Sequence, residues 1–519
     1  MVHAVIVLAA VLQLEAPFGK CSVVVPEFAA KDFPITAYGA KADGSKCTDA
    51  IARAMAACSA AGGGHVVVPA GTWLTGKVHF RSNCDLHLEK GAVLEFTDEP
   101  DDYLPPVHTS WEGVECLNYS PLVYAYGVEN VAVTGPGLIR PRMGFWRGWF
   151  DRPPAHMKAT EELYYWCSTN APLAARDLTA IRGSNVRPHL IQMNRAKNVL
   201  LEGFSVKESP FWMIHLYHSE NCTVRRVTSD CHGHNNDGVD VEMTRNVLIE
   251  DCDLDQGDDG VVLKAGRNQD AWRLARPTEN VIVRNCNLHM SHSLLGIGSE
   301  LSGGVRNVWM HDCSVDCTGS LLKIKTNRRR GGFVENVWVE DVTCRDDLRG
   351  AVFAINPNAI FQWAKFPDYE LRYTKIRNIH VRNAKAGTCE WIVDALGDAH
   401  EPPNGIALEN LTVRFPRKGV KRVENCEDVE IRNLNVTHPE EAALEKLRVP
   451  VKVPLANVAK AGALVRQLSN ADARVKRLLN LDVFPHEDGA LHMRLFPGEY
   501  LITWPTKDGT ERRQRLTVP

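Results

Sequence analysis

The sequence predicts an all-β chain: a right-handed parallel β-helix, or solenoid, with an N-terminal helical cap and a small C-terminal β-rich appendage. Three observations predict it. A short motif recurs through the middle of the chain, each copy alternates apolar and polar residues, and most neighbouring copies start 23 to 34 residues apart. The motif is Asn, three residues rich in Val, Ile or Leu, a polar pair often ending in Cys, and another apolar position. It reads from Asn246 to Leu254, Asn280 to Leu288, Asn307 to Val315 and Asn336 to Val342, with weaker copies at Asn130, Asn198, Asn221, Asn378 and Asn410. Such spacing belongs to repeat architectures. One copy is a short strand, a bend and another short strand. It cannot bury its apolar face alone, so the copies must stack and share a core.

The repeat explains two residue types. Val227, Cys252, Cys286, Cys313 and Val342 hold one register in successive copies. Valine at two of the five places indicates an apolar site, where a free Cys acts as a small hydrophobe. The total of fifteen cysteines is odd, which argues against a complete disulfide framework. The recurring Asn is expected to satisfy backbone groups at a bend.

Towards the N-terminus, Asp49 to Ala61 is Ala-rich with helical periodicity, Thr48 as candidate N-cap, and Gly62 to Gly64 as a stop. A helix there would cover the solenoid's open end. Strands are expected at His65 to Pro69 and Asp85 to Leu88. Residues 1–20 contain an apolar run, Ala4 to Leu12, of export-signal length; the missing Lys or Arg before it and Glu15 after it leave a buried segment as the other reading. Residues 32–440 are expected to form the β-helix domain. From about Pro439 to Leu468 the chain reads as helical, and strands follow at Tyr500 to Trp504 and Arg515 to Val518, with a turn at Lys507 to Gly509. Residues 441–519 are thus expected to form a helix plus a β-rich appendage.

The formal net charge of −3 gives no global attraction to nucleic acid or anionic membranes. A polyanionic ligand would need basic residues gathered locally. No CxxC pair accompanies a matching His pair and no HExxH occurs, so neither a metal nor another cofactor is expected. No stretch after the first reads as a transmembrane helix, and a monomer, secreted or periplasmic, is expected.

Two acidic clusters fall in successive copies: His234 to Asp240, and Gln256 to Gly260 with Asp258 and Asp259. Asp237 and Asp258 lie 21 residues apart, close to one coil. Stacked coils would bring them to about the 4.7–4.9 Å strand spacing. Crowded carboxyls split their pKa values, so one holds a proton while another is ionised, as glycosidic hydrolysis requires. Turn chemistry at Asp-Gly and a Ca²⁺ site remain open at this point.

Four segments in order, Asn235-Asn236-Asp237, Asp258-Asp259, Ser291-His292-Ser293 and Lys323-Ile324-Lys325, carry a resemblance to glycoside hydrolase family 28, the polygalacturonase family, over roughly residues 32–440. The resemblance implies an inverting, metal-independent hydrolase of α-galacturonide bonds in pectin. It implies Asp259 as general acid with His292 beside it, and Asp237 and Asp258 as the carboxylates on the attacking water. Asn235, Lys325 and Lys323 would bind substrate, Lys325 holding its carboxylate. Two departures stand out: serines replace the usual glycines around His292, and Lys323 replaces an Arg, losing the planar fork. Gly266 to Arg273, expected as a loop, and Gly298 to Gly304 resemble exo-acting bacterial members. Arg267, Trp272 and Arg273 would clamp a uronate terminus, with Glu300 nearby, while Arg328 to Arg330 read as a solvated turn. Rhamnogalacturonan or another decorated pectin is the alternative substrate. A Ca²⁺-dependent pectate lyase and a non-catalytic carbohydrate-binding β-helix are the rival functions.

Overall fold

The computed structural model describes residues 9–359, 370–458, 463–472, 475, 478–483, 485–486, 488–508 and 510–519. Its body is a parallel β-helix whose strands pair with the equivalent strand one coil away.

The Asn-led strands make one long sheet. Lys197–Glu202, Glu220–Arg225, Arg245–Glu250, Thr278–Arg284, Val305–His311 and Phe333–Glu340 pair in parallel and in register. Val199, Cys222, Val247, Val281, Val308 and Val337 therefore stack inward, all with no exposure. Asn410 falls instead at the later corner, donating to Asn383 Oδ1 at 3.0 Å, but each leading Asn from Asn130 to Asn378 takes a left-handed backbone, with φ between 52° and 58°. Asn is among the few residues that tolerate this. Its side chain does more than the expected bend chemistry: each amide donates to the amide oxygen of the Asn one coil before. The ladder runs unbroken from Asn378 to Asn83 at 2.6–3.3 Å. The polar pair ending each motif has the same cause, since Asp251, Asn285, Asp312 and Asp341 turn the corner with φ of 52–55°.

Behind that corner Val227, Cys252, Cys286, Cys313 and Val342 are all buried. The fifteen cysteines are free thiols, all but Cys426 buried. A hydrogen bond with Cys286 and burial push the Cys252 thiol well above its usual range, which makes it unreactive.

A second sheet matters for the site. Ile214–Tyr217, Val239–Glu242 and Val261–Lys264 pair in turn, then join the ends of Asn287–Ile297 and Ser314–Lys325. Alternation sends Val239, Val261, Leu295 and Leu322 inward. It leaves His215, Asp240, Val262, Gly296 and Lys323 in one outward row, and Glu242, Lys264 and Lys325 in the next.

Helix α1 (Thr48–Ala60) buries Ala50, Ile51, Ala54, Met55 and Cys58 against the first strands. Thr48 is its first residue rather than its cap, because its hydroxyl accepts from the Gly76 amide at 2.7 Å. Strands Gly64–Val68 and Cys84–Leu88 follow where expected. Ala9–Ala16, which overlaps the apolar run near the N-terminus, pairs antiparallel with Gly19–Pro26. That hairpin packs Cys21 and Val23 on Leu248 and Ile282, outside the first sheet. Helix α2 (Pro154–Ser168) and hairpin Val107–Trp111/Val114–Asn118 share a separate apolar cluster with Phe211 and Trp212. Residues 266–273 are not the expected loop, for Asn268–Leu274 forms helix α3.

The C-terminal stretch also departs from expectation. Among the described residues of that stretch only Glu441–Glu445 is helical (α4); Val449–Pro454 and Ala463–Asn470 are strands. Alternating Val449, Val451 and Val453 favours extended chain there. With Asn480–Val483, Ala490–Leu495, Gly498–Pro505 and Glu511–Val518 they form two antiparallel sheets over their own core. Gly509 of the expected turn lies outside the described residues. No helix among the described residues is long and apolar enough to cross a membrane.

Candidate active site

The acids sit in bends that the coils stack. Asp237 precedes Val239–Glu242, Asp258 and Asp259 precede Val261–Lys264, and His292 and Ser293 occupy the matching place in Asn287–Ile297. Backbone bonds lock the bends together: Gly238 N donates to Asp259 O at 2.9 Å, and His292 N to Asp258 O at 2.8 Å. Glycine follows Asp237 and Asp259 for a steric reason. A Cβ at Gly238 would strike the Gly260 carbonyl, and one at Gly260 would strike Leu288.

The three carboxyls meet, with one oxygen from each within 4.8 Å of the others. Their surroundings differ. The Asp258 side chain is 18% exposed and takes His292 Nδ1 at 2.8 Å. Asp259 is 1% exposed, bound by Lys325 Nζ at 2.5 Å and by the Ser293 hydroxyl. Asp237 is 4% exposed and its nearest cation is Lys264 Nζ at 3.7 Å. So His292 bonds Asp258 directly, while Asp259, the acid the sequence led us to expect beside it, also feels its charge.

Charge follows from these contacts. Burial lifts Asp237 well above the carboxylate range, and Asp240 and Asp258 add to it. Burial opposes ionisation at Asp259 too, but Lys325 and His292 outweigh it and hold that carboxyl low. His292 and Lys325 likewise hold Asp258 down against burial. The site thus splits one proton-holding carboxyl from two ionised ones. The trio is close enough to share a cation, yet Lys264 and Lys325 already supply positive charge beside Asp237 and Asp259. A divalent ion would meet that repulsion.

Lys264 escaped sequence reading, and Asp240, read there as the end of an acidic cluster, was given no role. Lys264 lies 3.7, 3.6 and 3.4 Å from Asp237, Asp240 and Glu300, and 4.5 Å from the Trp212 ring centre. Both Asp240 oxygens are buried without a hydrogen bond. The available signal was alternation in Val261-Val262-Leu263-Lys264, which turns Lys264 out of the core beside Glu242.

The other predicted binding residues separate into two groups. Lys323 and Lys325 lie on the floor beside the acids. Asn235 supports the acid bend, its Oδ1 accepting from buried Arg187 at 2.9 Å. Arg267 and Glu300 are buried and paired at 2.7 Å, with Glu112 at 3.4 Å and the Tyr164 ring 4.3 Å from the guanidinium. They tie the 107–118 hairpin and α2 into a wall next to Lys264. Trp272 donates to the Arg330 carbonyl at 2.9 Å and lies under Arg372. Arg273 bonds Asp270 and the Cys167 carbonyl. Neither is bonded to the acidic trio. Arg330 is fully buried, not a solvated turn residue, for it bonds Ser299 O and Asn268 Oδ1 at 2.7 and 2.8 Å.

Comparison with known proteins decides the family. The sequence pattern of "Glycosyl hydrolases family 28" matches residues 175–437, about half of the chain. The chain belongs to glycosyl hydrolases family 28. Within the family it resembles the hyperthermoactive exopolygalacturonase of Thermotoga maritima, at 32% identity and a TM-score of 0.74, over 80% of this chain and 93% of that one. The family 28 exopolygalacturonase of Yersinia enterocolitica shares the fold, with a TM-score of 0.61 at 19% identity over 82% and 83%. A probable polygalacturonase of Vitis vinifera is 25% identical over 71% of this chain and 70% of its own length. An exo-poly-alpha-D-galacturonosidase of Dickeya chrysanthemi is 24% identical over 67% and 62%. This family 28 enzyme is therefore a glycosyl hydrolase, and its family match spans the acids, His292 and both lysines.

Proposed function

We propose that this enzyme hydrolyses α-galacturonide bonds in pectic polysaccharide and acts from a chain end. The observation that carries the reading is the acid trio, one oxygen of each within 4.8 Å, in contact with Lys325. A lysine among the acids suits a substrate that brings its own carboxylate. The wall of Arg267, Glu300, Glu112 and Tyr164 supports exo action, because it bounds the cleft on the Lys264 side. We place the catalytic unit at residues 32–440 and keep the chain monomeric in this reading, with α1 capping a right-handed solenoid. A substrate too large to enter a cell puts the enzyme outside it.

The geometry supports a reading in which two of the roles drawn from sequence are exchanged. Asp258 is the most exposed of the three acids and, though ionised in the free site, shares a hydrogen bond with His292 Nδ1, so in our reading it delivers the proton of that bond to the leaving oxygen. Asp259 is pinned as an anion by Lys325 and Ser293 and polarises the attacking water. Asp237, in the fraction of enzyme where it is ionised, takes that water's proton, its proton affinity raised by burial. Substrate carboxylate binds Lys325 with Lys323 beside it.

Two variants separate these roles. Asp258→Asn should lose at least about a hundredfold on polygalacturonate yet keep most of its turnover of a nitrophenyl galacturonide, whose leaving group needs no proton. Asp259→Asn should lose both. Equal loss on both substrates in Asp258→Asn would return the acid role to Asp259.

Stereochemistry needs its own test. Inverting carboxyl pairs usually stand about 6.5–9.5 Å apart and retaining pairs about 5–5.5 Å. The spacing here favours retention, whereas the family resemblance implies inversion. We side with inversion, because Asp237 and Asp259 can hold one water between them without either attacking the sugar. Proton NMR of early product should show β-galacturonic acid. An initial α-anomer would establish retention.

A further inference from the structure

Beyond His292 the cleft does not end at the solenoid's surface. A cavity of about 1120 Å³ opens there, bounded below by Gly319, Ser320, Lys323 and Arg349 and above by the C-terminal sheets at Leu481, Val483, His486 and His492 to Arg494. It exceeds the roughly 300–1,000 Å³ of an ordinary small-molecule pocket. Six Lys and Arg side chains line it against two Glu. This is the local gathering of positive charge that a chain of net charge −3 needs in order to hold a polyanion.

The charges are unevenly spent. Glu390 pairs with Lys418 at 2.8 Å, and Glu445 with Arg448 at 2.9 Å. Among the described residues Arg417 and Arg494 hydrogen-bond only to backbone carbonyls, Leu348 O at 3.4 Å and Arg448 O at 2.8 Å, although Glu445 is within electrostatic reach of Arg417. One Arg417 nitrogen is buried with no hydrogen bond. Lys323, on the floor, has its positive charge disfavoured by burial and by Lys325. An anion entering the cavity would relieve all three.

We propose that the C-terminal β-rich module is part of the substrate cleft, and that this cavity, which opens from the acids at His292 and Lys323, binds uronate groups of the sugars beyond the scissile bond. Arg417 from the solenoid and Arg494 from the module grip carboxylates as planar forks. The wall at Glu300 bounds one side of the acids, and the cavity receives the remainder of the chain on the other. The inference rests on the galacturonide reading above and extends it to chain length.

The test compares kcat/KM for hexagalacturonate and digalacturonate in the wild type, in Arg417→Gln/Arg494→Gln, and in Arg513→Gln. The last lies on an exposed strand of the same module, pairs with Glu511 at 2.7 Å and serves as control. The double variant should lower the hexamer-to-dimer ratio about tenfold through KM, and Arg513→Gln should leave it unchanged. An unchanged ratio in a folded double variant would overturn the proposal while leaving dimer hydrolysis, and the function, standing. If neither substrate is cleaved, calorimetric binding of hexagalacturonate decides: equal affinity in wild type and double variant overturns the cavity's role.

Discussion

At the scale of single residues, the site works by giving three neighbouring carboxyls unlike neighbours. Lys325 and Ser293 go to Asp259, His292 goes to Asp258, and Asp237 has only Lys264 at 3.7 Å. Lys264 lowers the Asp237 pKa, which burial and the other acids raise. Asp237 must be ionised to accept a proton, so activity falls as pH drops through that pKa. Removing the Lys264 charge raises it further. The acid limb of the kcat profile of Lys264→Gln should therefore move to higher pH, with the alkaline limb unmoved. An acid limb shifted down or unchanged would remove Asp237 from the role of base. The acids and His292 could be found in the sequence because their motifs are contiguous. Lys264 could not, since its partners Asp240 and Glu300 are brought to it only by stacking and by a loop.

At the scale of elements, one short strand and two left-handed corners are repeated, and the asparagine ladder is their register pin. Asn280 donates to Asn246 and accepts from Asn307, both at 3.0 Å, with φ at 57°. Asn280→Ala forfeits both bonds and leaves at φ 57° a residue without the polar side chain that makes the left-handed backbone tolerable. It should destabilise the fold by about 2 to 3 kcal/mol, measured by denaturant unfolding. A loss under about 0.5 kcal/mol would show that the ladder decorates the turn rather than holds it. The repeat was legible because its period is written in apolar residues. The amide-to-amide bonding was not, because a single copy shows only a bend. Helical expectation failed beyond Glu445 for a related reason: Ala and Leu are shared by helices and buried strands, and pairing between Val449–Pro454 and Ala490–Leu495 outweighs local preference. Helix α3 was missed in the opposite sense, since Asn268 and Gln269 read as loop but are buried against the wall.

At the scale of the molecule, the solenoid supplies a rigid floor and its additions supply the sides. Hairpin 107–118, α2 and α3 stand on the Lys264 side, and the C-terminal sheets stand beyond His292. That division accounts for why the outward rows of one sheet carry charge while the Asn-led sheet is covered by hairpin 9–26. Neither side was legible in the sequence, because each depends on where a segment far along the chain is folded back. The floor was legible, for stacked coils turn a spacing of 21 residues between Asp237 and Asp258 into a contact.

The most direct test is product analysis of the purified enzyme on polygalacturonate in the presence of a chelator, by mass and ultraviolet absorbance. Saturated galacturonic acid should appear early as the sole small product, at a rate the chelator does not change. Unsaturated product, chelator-sensitive turnover, or no release of galacturonic acid from any pectin would contradict a metal-independent chain-end hydrolase.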